Sequence, residues 1–295
     1  MAHWLNILGW LLSVVTIVGN GFVVGLLIKN RQLHSSANWF VLSLAVADFM
    51  IGFAVFPLQY LCIERIKCDL IVNMAFFWFF LHSSVSNLCT LTWDRYIAIV
   101  HPYRYTNFVT TTRPGLVITA AWLIPFAISL LLSVGMYATD SRIAWKVLRL
   151  IGVSAFDIIS CMLLLYAVVR ILFVARQARI ADAIQLQVQS NQCRDVKGTA
   201  GRRKRPNAAR FVVAIVVFFL GCYALVNYFI LCIIFSYKIP GRAGQILNVL
   251  LVLNSAVNPV VYAFFKKDIK THMKKLFCNW NKKREEHRKE EVPSR

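Results

Sequence analysis

The sequence predicts an all-α membrane protein: a bundle of seven transmembrane helices followed by a short amphipathic eighth helix. Of its 295 residues, 58% are hydrophobic and only 16% are charged, and the mean hydropathy is +0.60. Soluble domains rarely have such a composition. Seven apolar runs are each long enough to cross a hydrocarbon core of about 30 Å. The charged residues are crowded into the polar joints between these runs.

The seven runs follow one another through residues 1–265, which we expect to form one transmembrane domain. Of the joints between them, only the fifth, residues 175–210, is long. The predicted spans are Trp4–Ile28, Phe40–Cys62, Leu70–Val100, Gly115–Val134, Val147–Val174, Phe211–Phe235 and Gly244–Phe265.

The pattern changes at residue 266. Residues 266–279 place Ile269, Met273 and Leu276 on one side and lysines on the other, which predicts an amphipathic helix on the inner leaflet. Cys278 is a candidate palmitoylation site at its end. Residues 280–295 are highly charged and predict a disordered cytoplasmic tail.

Lysine and arginine predict the orientation, because they concentrate in joints one, three and five and in the tail. These segments are expected to face the cytoplasm of a multi-pass plasma-membrane protein whose N-terminus lies outside. The formal net charge of +20 could also indicate a nucleic-acid partner, and the basic run Gly201–Arg205 resembles a nucleic-acid-binding patch. In a chain with seven spans we interpret them as topology signals and contacts to anionic lipid, and we expect no nucleic-acid partner.

Only three acidic residues, Asp48, Asp94 and Asp157, lie within or at the edge of a span. An acid in a span is costly and is a functional hypothesis by default. Polar side chains facing lipid would be left unpaired, so we expect a cluster of them to converge with Asp48 inside the bundle. One carboxylate among neutral oxygens makes a small hard-cation site; the alternative is a neutral, hydrogen-bonded Asp48 that only stabilises the bundle. The cluster comprises Asp48, Ser84, Asn254, Ser255 and Asn258.

No enzymatic arrangement stands out. The histidines are scattered, the cysteine pairs lack metal-ligand spacing, and there is no glycine loop that would cradle a phosphate. We therefore expect no catalytic residues and no cofactor, apart from a sodium ion as an allosteric ligand.

The motifs occur in the order found in rhodopsin-like (class A) G-protein-coupled receptors, and the chain resembles that family over nearly its whole length. One motif falls in each span: Gly19-Asn20, Leu44–Asp48, Asp94-Arg95-Tyr96, Trp122, Tyr166, Phe219 with Cys222, and Asn258–Tyr262.

The resemblance implies a mechanism. Arg95 would be held by Asp94 at rest and released when the sixth helix swings outward, with Tyr166 and Tyr262 closing around it. The cleft that opens would accept the α-subunit of a heterotrimeric G-protein. The implied switch residues are Asp94, Arg95, Tyr96, Tyr166, Asn258, Pro259 and Tyr262. In this family the cluster around Asp48 binds sodium in the inactive state.

Several positions depart from the family pattern. The sixth span reads Cys222–Leu225 where the family has Cys-Trp-x-Pro, and the fifth span has Ile158 in place of a proline, beside an unexpected Asp157. The outer loop 135–146 has no cysteine, so Cys68 could pair with Cys62, with Cys232 or with neither. The omissions are similar to those of the melanocortin-like branch, but that branch has Asp where this chain has Asn258, so the branch stays open.

An extracellular small molecule is the expected ligand. The predicted outer cavity has a largely aromatic wall, which suits a small neutral, lipid-like or weakly polar ligand. Amine receptors carry an acid where this chain has Phe77, so a simple biogenic amine is disfavoured unless Asp157 supplies the charge. The candidate ligand contacts are Phe77, Trp78, Leu81, His82, Asp157, Tyr223, Asn227 and Asn248.

Two other functions compete with a signalling receptor. An ion transporter or channel would also use an aspartate at mid-membrane, but it would show an internal repeat with paired broken helices, and the sequence shows none. A receptor-like protein that does not signal would fit the altered hinge at Tyr223 and Leu225. The intact Asp94–Tyr96 and Asn258–Tyr262 motifs favour signalling.

Overall fold

The computed structural model describes residues 3–58, 60–62, 68–103, 105, 114–139, 141–192, 207–235, 237, 242–266 and 268–273. Throughout these ranges the regular structure is helical, and seven helices are long and apolar enough to cross a membrane. This confirms the predicted seven-helix bundle. The helices are α1 (His3–Lys29), α2 (Ser36–Phe53), α3 (Leu70–Val100), α4 (Pro114–Tyr137), α5 (Arg142–Arg149), α6 (Phe156–Gln192), α7 (Asn207–Ile234), α8 (Ala243–Phe265) and α9 (268–273).

The spanning helices are α1 to α4 and α6 to α8, because α5 is a short helix before the fifth span. Most of their ends lie within a few residues of the predicted ones. The fifth span is the exception at both ends: it was predicted as Val147–Val174, but α6 begins at Phe156 and continues to Gln192. Glutamine, alanine and arginine make up most of residues 175–192. Because these residues favour a helix without being apolar enough for a span, the hydropathy pattern missed this extension.

The joint between the fourth and fifth spans is also partly helical. The Ser141 hydroxyl accepts a hydrogen bond from the Ala144 amide (3.4 Å) and so caps the start of α5. After α5 the chain winds through a wider π-helical turn, Leu150–Ala155, before α6 begins. A similar turn, Ala54–Leu58, extends α2 and contains Pro57, which cannot donate the backbone hydrogen bond of a regular turn.

The buried core lies between α2, α3, α7 and α8, where the largest fully buried side chains include Leu44, Leu81, Phe219 and Tyr262. Apolar side chains on the outer faces of the spans are widely exposed, as expected for surfaces that face lipid. Gly19 shows how closely the helices approach, since a Cβ atom there would lie 3.1 Å from Cγ of Pro259. The glycine of the first-span motif therefore lets α1 pack against α8.

Residues 268–273 form a helical segment after α8, within the predicted amphipathic helix 266–279. Ile269 is fully buried and Met273 packs against the same core. The His272 ring also approaches the side-chain oxygen of Gln32, in the turn after α1 (3.4 Å). Residues 274–279 with Cys278, and the predicted tail 280–295, lie outside the described residues, so those predictions stay predictions.

Candidate functional site

The predicted cluster around Asp48 is centred on a carboxylate that joins three helices. Asp48 lies on α2 with 0% exposure. Its Oδ1 accepts a hydrogen bond from the Ser84 hydroxyl on α3 (2.7 Å), and its Oδ2 accepts one from the Asn258 amide on α8 (2.6 Å). Each carboxylate oxygen therefore has a donor from a different helix.

The other predicted members of the cluster lie close by but are bonded differently. The Ser255 hydroxyl neighbours the Asp48 carboxylate and is buried, but it makes no hydrogen bond to a described residue. The Ser255 backbone carbonyl accepts a hydrogen bond from the Asn20 amide of α1 (3.2 Å). Asn254 is buried but does not bond to Asp48. Carboxylate, hydroxyl and amide oxygens are the ligands that hard cations prefer, so this chemistry suits a small cation.

A second polar relay links α2, α3 and α4. The indole nitrogen of Trp122 donates to the Ser43 hydroxyl (2.9 Å), which donates to Oδ1 of Asn87 (2.6 Å). The Asn87 amide in turn donates to the Ser83 carbonyl (2.8 Å). Trp122 was predicted from the sequence, whereas Ser43 and Asn87 were not. Ser43 and Asn87 could have been found as polar side chains inside apolar runs.

The C-terminal end of α3 brings the predicted switch residues Asp94 and Arg95 together. The Arg95 guanidinium donates through Nε (2.8 Å) and Nη2 to Oδ2 of the buried Asp94. The Tyr105 hydroxyl, which was not predicted from the sequence, donates to the other oxygen of Asp94 (3.2 Å). Burial and the negative charge of Asp94 raise the pKa of Tyr105. Within the described part of the chain, Asp94 is the acid that holds Arg95.

The two tyrosines expected to close around Arg95 lie elsewhere in this conformation. The Tyr166 ring packs against the Tyr96 ring with centroids 6.1 Å apart. Tyr262 is fully buried against Phe211 of α7 (6.0 Å), and its hydroxyl has no hydrogen-bond partner among the described residues. The pairing of Arg95 with Tyr166 and Tyr262 therefore stays a prediction for the activated form.

Lys266, just after α8, lies near Arg95 and was not predicted as a site residue. Its ammonium is buried without a hydrogen bond in the part of the chain that is described, and it lies 5.8 Å from the Phe211 ring centroid. Burial, followed by the positive charge of Arg95, lowers the pKa of Lys266 to about 7. The residue thus places a second basic group beside Arg95, at the base of α7.

Two of the candidate ligand contacts, His82 and Asp157, meet in the middle of the bundle. His82 on α3 and Asp157 on α6 both have 0% exposure, and Nε2 of His82 lies 3.8 Å from Oδ1 of Asp157. Both ring nitrogens and both carboxylate oxygens lack a hydrogen bond to any described residue. The His82 ring lies 4.6 Å from the Phe156 ring and 5.7 Å from the Trp78 ring.

Of the remaining predicted ligand contacts, some are half-buried and others are buried in the core of the bundle. Phe77 and Trp78 are half-buried, with ring centroids 5.0 Å apart. Leu81 and Tyr223 are buried core residues, and the Asn227 amide bonds to the Tyr223 carbonyl of its own helix (2.9 Å). Asn248 is half-buried on α8. The structure therefore places Trp78 beside the His82–Asp157 pair, whereas Leu81 and Asn227 serve helix packing.

A disulfide ties the region between α2 and α3. Cys62 is bonded to Cys68, with their Cα atoms 4.8 Å apart, and Cys232 is free. The sequence left open whether Cys68 pairs with Cys62, with Cys232 or with neither, and the structure shows the pairing with Cys62. Asp69 follows the disulfide and caps α3 by accepting a hydrogen bond from the Ile71 amide (2.7 Å).

Comparisons with known proteins agree with this geometry. Residues 19–262 match the model of the 7 transmembrane receptor (rhodopsin family). Trace amine-associated receptor 8b of Rattus norvegicus is 26% identical over 284 residues, which cover 86% of this chain and 80% of that receptor. Octopamine receptor beta-2R of Chilo suppressalis is 25% identical, with 92% and 80% covered. Trace amine-associated receptor 7d of Mus musculus is 29% identical, with 86% and 76% covered.

Proposed function

Because the chain belongs to the rhodopsin family of seven-transmembrane receptors, we propose that it is a plasma-membrane receptor that signals through the Arg95 switch. It is a G-protein-coupled receptor whose ligand is unidentified. The N-terminus and the Cys62–Cys68 disulfide face outside, where oxidising conditions preserve such a bond. The basic joints and the tail face the cytoplasm.

The Asp94–Arg95 pair supports this proposal most directly. Arg95 is held by an acid of its own helix, and residues 202–210 at the base of the sixth span contain no acid that would tie it to α7. An outward displacement of α7 therefore breaks no ion pair to Arg95. We expect measurable signalling without ligand, because the resting state lacks that restraint.

The Asp48 cluster would act as a sodium-dependent brake on this switch. Ser84, which bonds to Asp48, and Arg95 lie on the same helix, separated by about 16 Å at about 1.5 Å per residue. A cation bound at Asp48 would stabilise the packing of α2, α3 and α8 seen here. It would thereby favour the resting form by its difference in affinity for the two forms.

The test is nucleotide exchange on a panel of purified G-protein α-subunits, each with its βγ partner, catalysed by the full-length receptor without added ligand. We expect exchange on at least one α-subunit and its loss in Arg95→Ala. Arg242→Ala is the matched control, because Arg242 is an exposed arginine at the opposite, outer end of α8. Equal exchange by the wild type and Arg95→Ala on every α-subunit would contradict the proposal.

The ligand is a small molecule that enters from outside and contacts the wall formed by Phe77 and Trp78. The relatives named above are receptors for trace amines and octopamine by their names. Phe77 gives this chain no acid at the position where amine receptors carry theirs, so an amine would need another anchor.

A further inference from the structure

The His82–Asp157 pair is the most unusual buried feature of the described bundle. Burying a polar atom without a hydrogen bond costs about 1–3 kcal/mol, and here four such atoms lie together on two neighbouring helices. Some buried hydroxyl groups, such as those of Ser83 and Ser154, also lack a hydrogen bond to a described residue. The other two carboxylates in or at the edge of the spans, Asp48 and Asp94, are both hydrogen-bonded. A group that is left unpaired in this way needs an explanation, such as a missing ligand.

The gap between the two side chains is itself informative. At 3.8 Å, Nε2 of His82 and Oδ1 of Asp157 are too far apart for a direct hydrogen bond. Neither lysine nor arginine pairs with Asp157 in the described residues. Within the described residues, the carboxylate is therefore a buried acceptor without a cationic or hydrogen-bonded partner. A neutral imidazole beside it offers one ring nitrogen as a further acceptor.

Aromatic rings surround the pair. Phe156 and Trp78 contact the His82 ring. The buried Tyr223 is close enough to Asp157 for an electrostatic interaction. A carboxylate next to aromatic faces is the combination that recognises organic ammonium groups, because the ring faces also attract a cation. An inorganic anion would be repelled by the carboxylate.

The surrounding backbone connects this site to the outside. Asp157 lies in the first turn of α6, immediately after the π-helical turn Leu150–Ala155. Trp78 lies one helical turn outward of His82 on α3 and is only half-buried. A ligand would have to displace the Trp78 ring to reach the pair from the N-terminal end of α3.

We propose that Asp157 and His82 form the recognition site for a small protonated amine. Its ammonium would donate to the Asp157 carboxylate and to Nε2 of His82, and its apolar part would lie against Trp78 and Phe156. The negative charge that is missing at Phe77 on α3 is supplied from α6. This inference rests on the proposed receptor function, because it identifies the ligand class of that receptor.

The experiment measures the thermal unfolding midpoint of the purified full-length receptor against increasing concentrations of three probes. These are 2-phenylethylamine, its N,N,N-trimethyl derivative, and the uncharged 2-phenylethanol. A ligand that binds only the folded receptor raises the midpoint. We expect 2-phenylethylamine to raise it most strongly and 2-phenylethanol to have no effect at the same concentrations. The trimethyl derivative should bind more weakly, because it keeps the charge but has no N–H to donate.

Variants separate recognition from structure. Asp157→Asn should weaken amine binding on the order of a hundredfold, and His82→Gln by about tenfold. The matched control is Asp182→Asn, which removes an exposed acid from the cytoplasmic part of the same helix and should leave binding unchanged. Without ligand, Asp157→Asn should raise the midpoint, because it removes an unpaired buried carboxylate. A pair that merely joined α3 to α6 would give a lower midpoint.

Three results would overturn the proposal: no probe amine shifts the midpoint, the alcohol binds as well as the amine, or Asp157→Asn binds the amine with wild-type affinity. Nucleotide exchange on the same preparations distinguishes this failure from failure of the receptor function. If Arg95-dependent exchange persists while the amine site fails, only the ligand assignment is wrong.

Discussion

Asp48 and Asp157 are both fully buried acids in apolar helices, yet their surroundings are opposite. Both oxygens of Asp48 accept hydrogen bonds, from Ser84 and Asn258. Neither oxygen of Asp157 does so within the described structure, although His82 is 3.8 Å away. A satisfied carboxylate braces helices against each other, whereas an unsatisfied one raises the free energy of the unliganded form. The difference suggests that Asp48 serves the resting bundle and Asp157 serves a ligand.

The largest expected effect is the loss of a donor from the satisfied acid. Asn258→Ala removes the amide that donates to Oδ2 of Asp48 and should lower the free energy of unfolding by about 3 kcal/mol, because the buried charge loses a partner. Asn254→Ala is the matched control, since Asn254 lies one turn away on α8 and makes no hydrogen bond to Asp48. Thermal unfolding of the purified variants measures both losses. Equal losses would mean that the Asp48 contact adds no stability of its own.

Sodium should bind at Asp48 and not at Asp157. At ten times its dissociation constant, Na⁺ should stabilise the receptor by about 1.4 kcal/mol relative to the same concentration of K⁺. Asp48→Asn should lose this stabilisation, and Asp157→Asn should keep it. Unfolding midpoints in matched NaCl and KCl give the answer. A sodium effect that survives Asp48→Asn, or that disappears in Asp157→Asn, would place the cation elsewhere.

The adjacent residues Ser83 and Ser84 allow the same comparison between an unpaired and a hydrogen-bonded buried group, with a smaller expected effect on stability. The Ser84 hydroxyl donates to Asp48, whereas the buried Ser83 hydroxyl has no partner among the described residues. Ser84→Ala should therefore destabilise the receptor by about 1 kcal/mol, and Ser83→Ala should be neutral or slightly stabilising. Parallel thermal melts test this, and a larger loss from Ser83→Ala would refute the assignment.

Lys266 extends the comparison to an unpaired cation. Its folded-state pKa of about 7 lies below the ordinary value of 10.5, so between these values the unfolded chain binds more protons than the native receptor. Stability should therefore rise with pH in this window, by at most about 1 kcal/mol between pH 7 and 8.

Comparing the pH dependence of unfolding in two variants isolates this contribution. Lys266→Met should remove the rise, and Lys29→Met, which replaces an exposed lysine at the end of α1, should retain it. An identical pH dependence in the wild type and Lys266→Met would show that Lys266 is not the titrating group.

The sequence predicted the spans well because hydrophobic length sets them directly, and the ends of α3 agree at both Leu70 and Val100. It failed on α6, where helix propensity without hydropathy extends the helix to Gln192. It also missed the π-helical turns at Ala54–Leu58 and Leu150–Ala155. Such turns depend on how neighbouring helices pack, and apolar periodicity does not record that.

The sequence likewise predicted one of the two buried sites and not the other. Asp48, Ser84 and Asn258 could be grouped from the sequence, because a polar side chain in lipid has few alternatives to converging inside the bundle. His82 and Asp157 were each recognised as candidate ligand contacts, but their pairing was not predicted. Their relative depth and rotation depend on the turn before α6, so no spacing in the sequence could show that the two side chains meet.

The most direct test of this account is a side-by-side measurement of the unfolding midpoints of the wild type, Asp48→Asn and Asp157→Asn, without ligand and in KCl. Both variants exchange the same two groups at fully buried positions, so only the surroundings differ. We predict opposite signs: Asp48→Asn lowers the midpoint, by about 2 kcal/mol in stability, and Asp157→Asn raises it. If both variants fall by similar amounts, Asp157 is a structural brace like Asp48, and the distinction between the two acids is wrong.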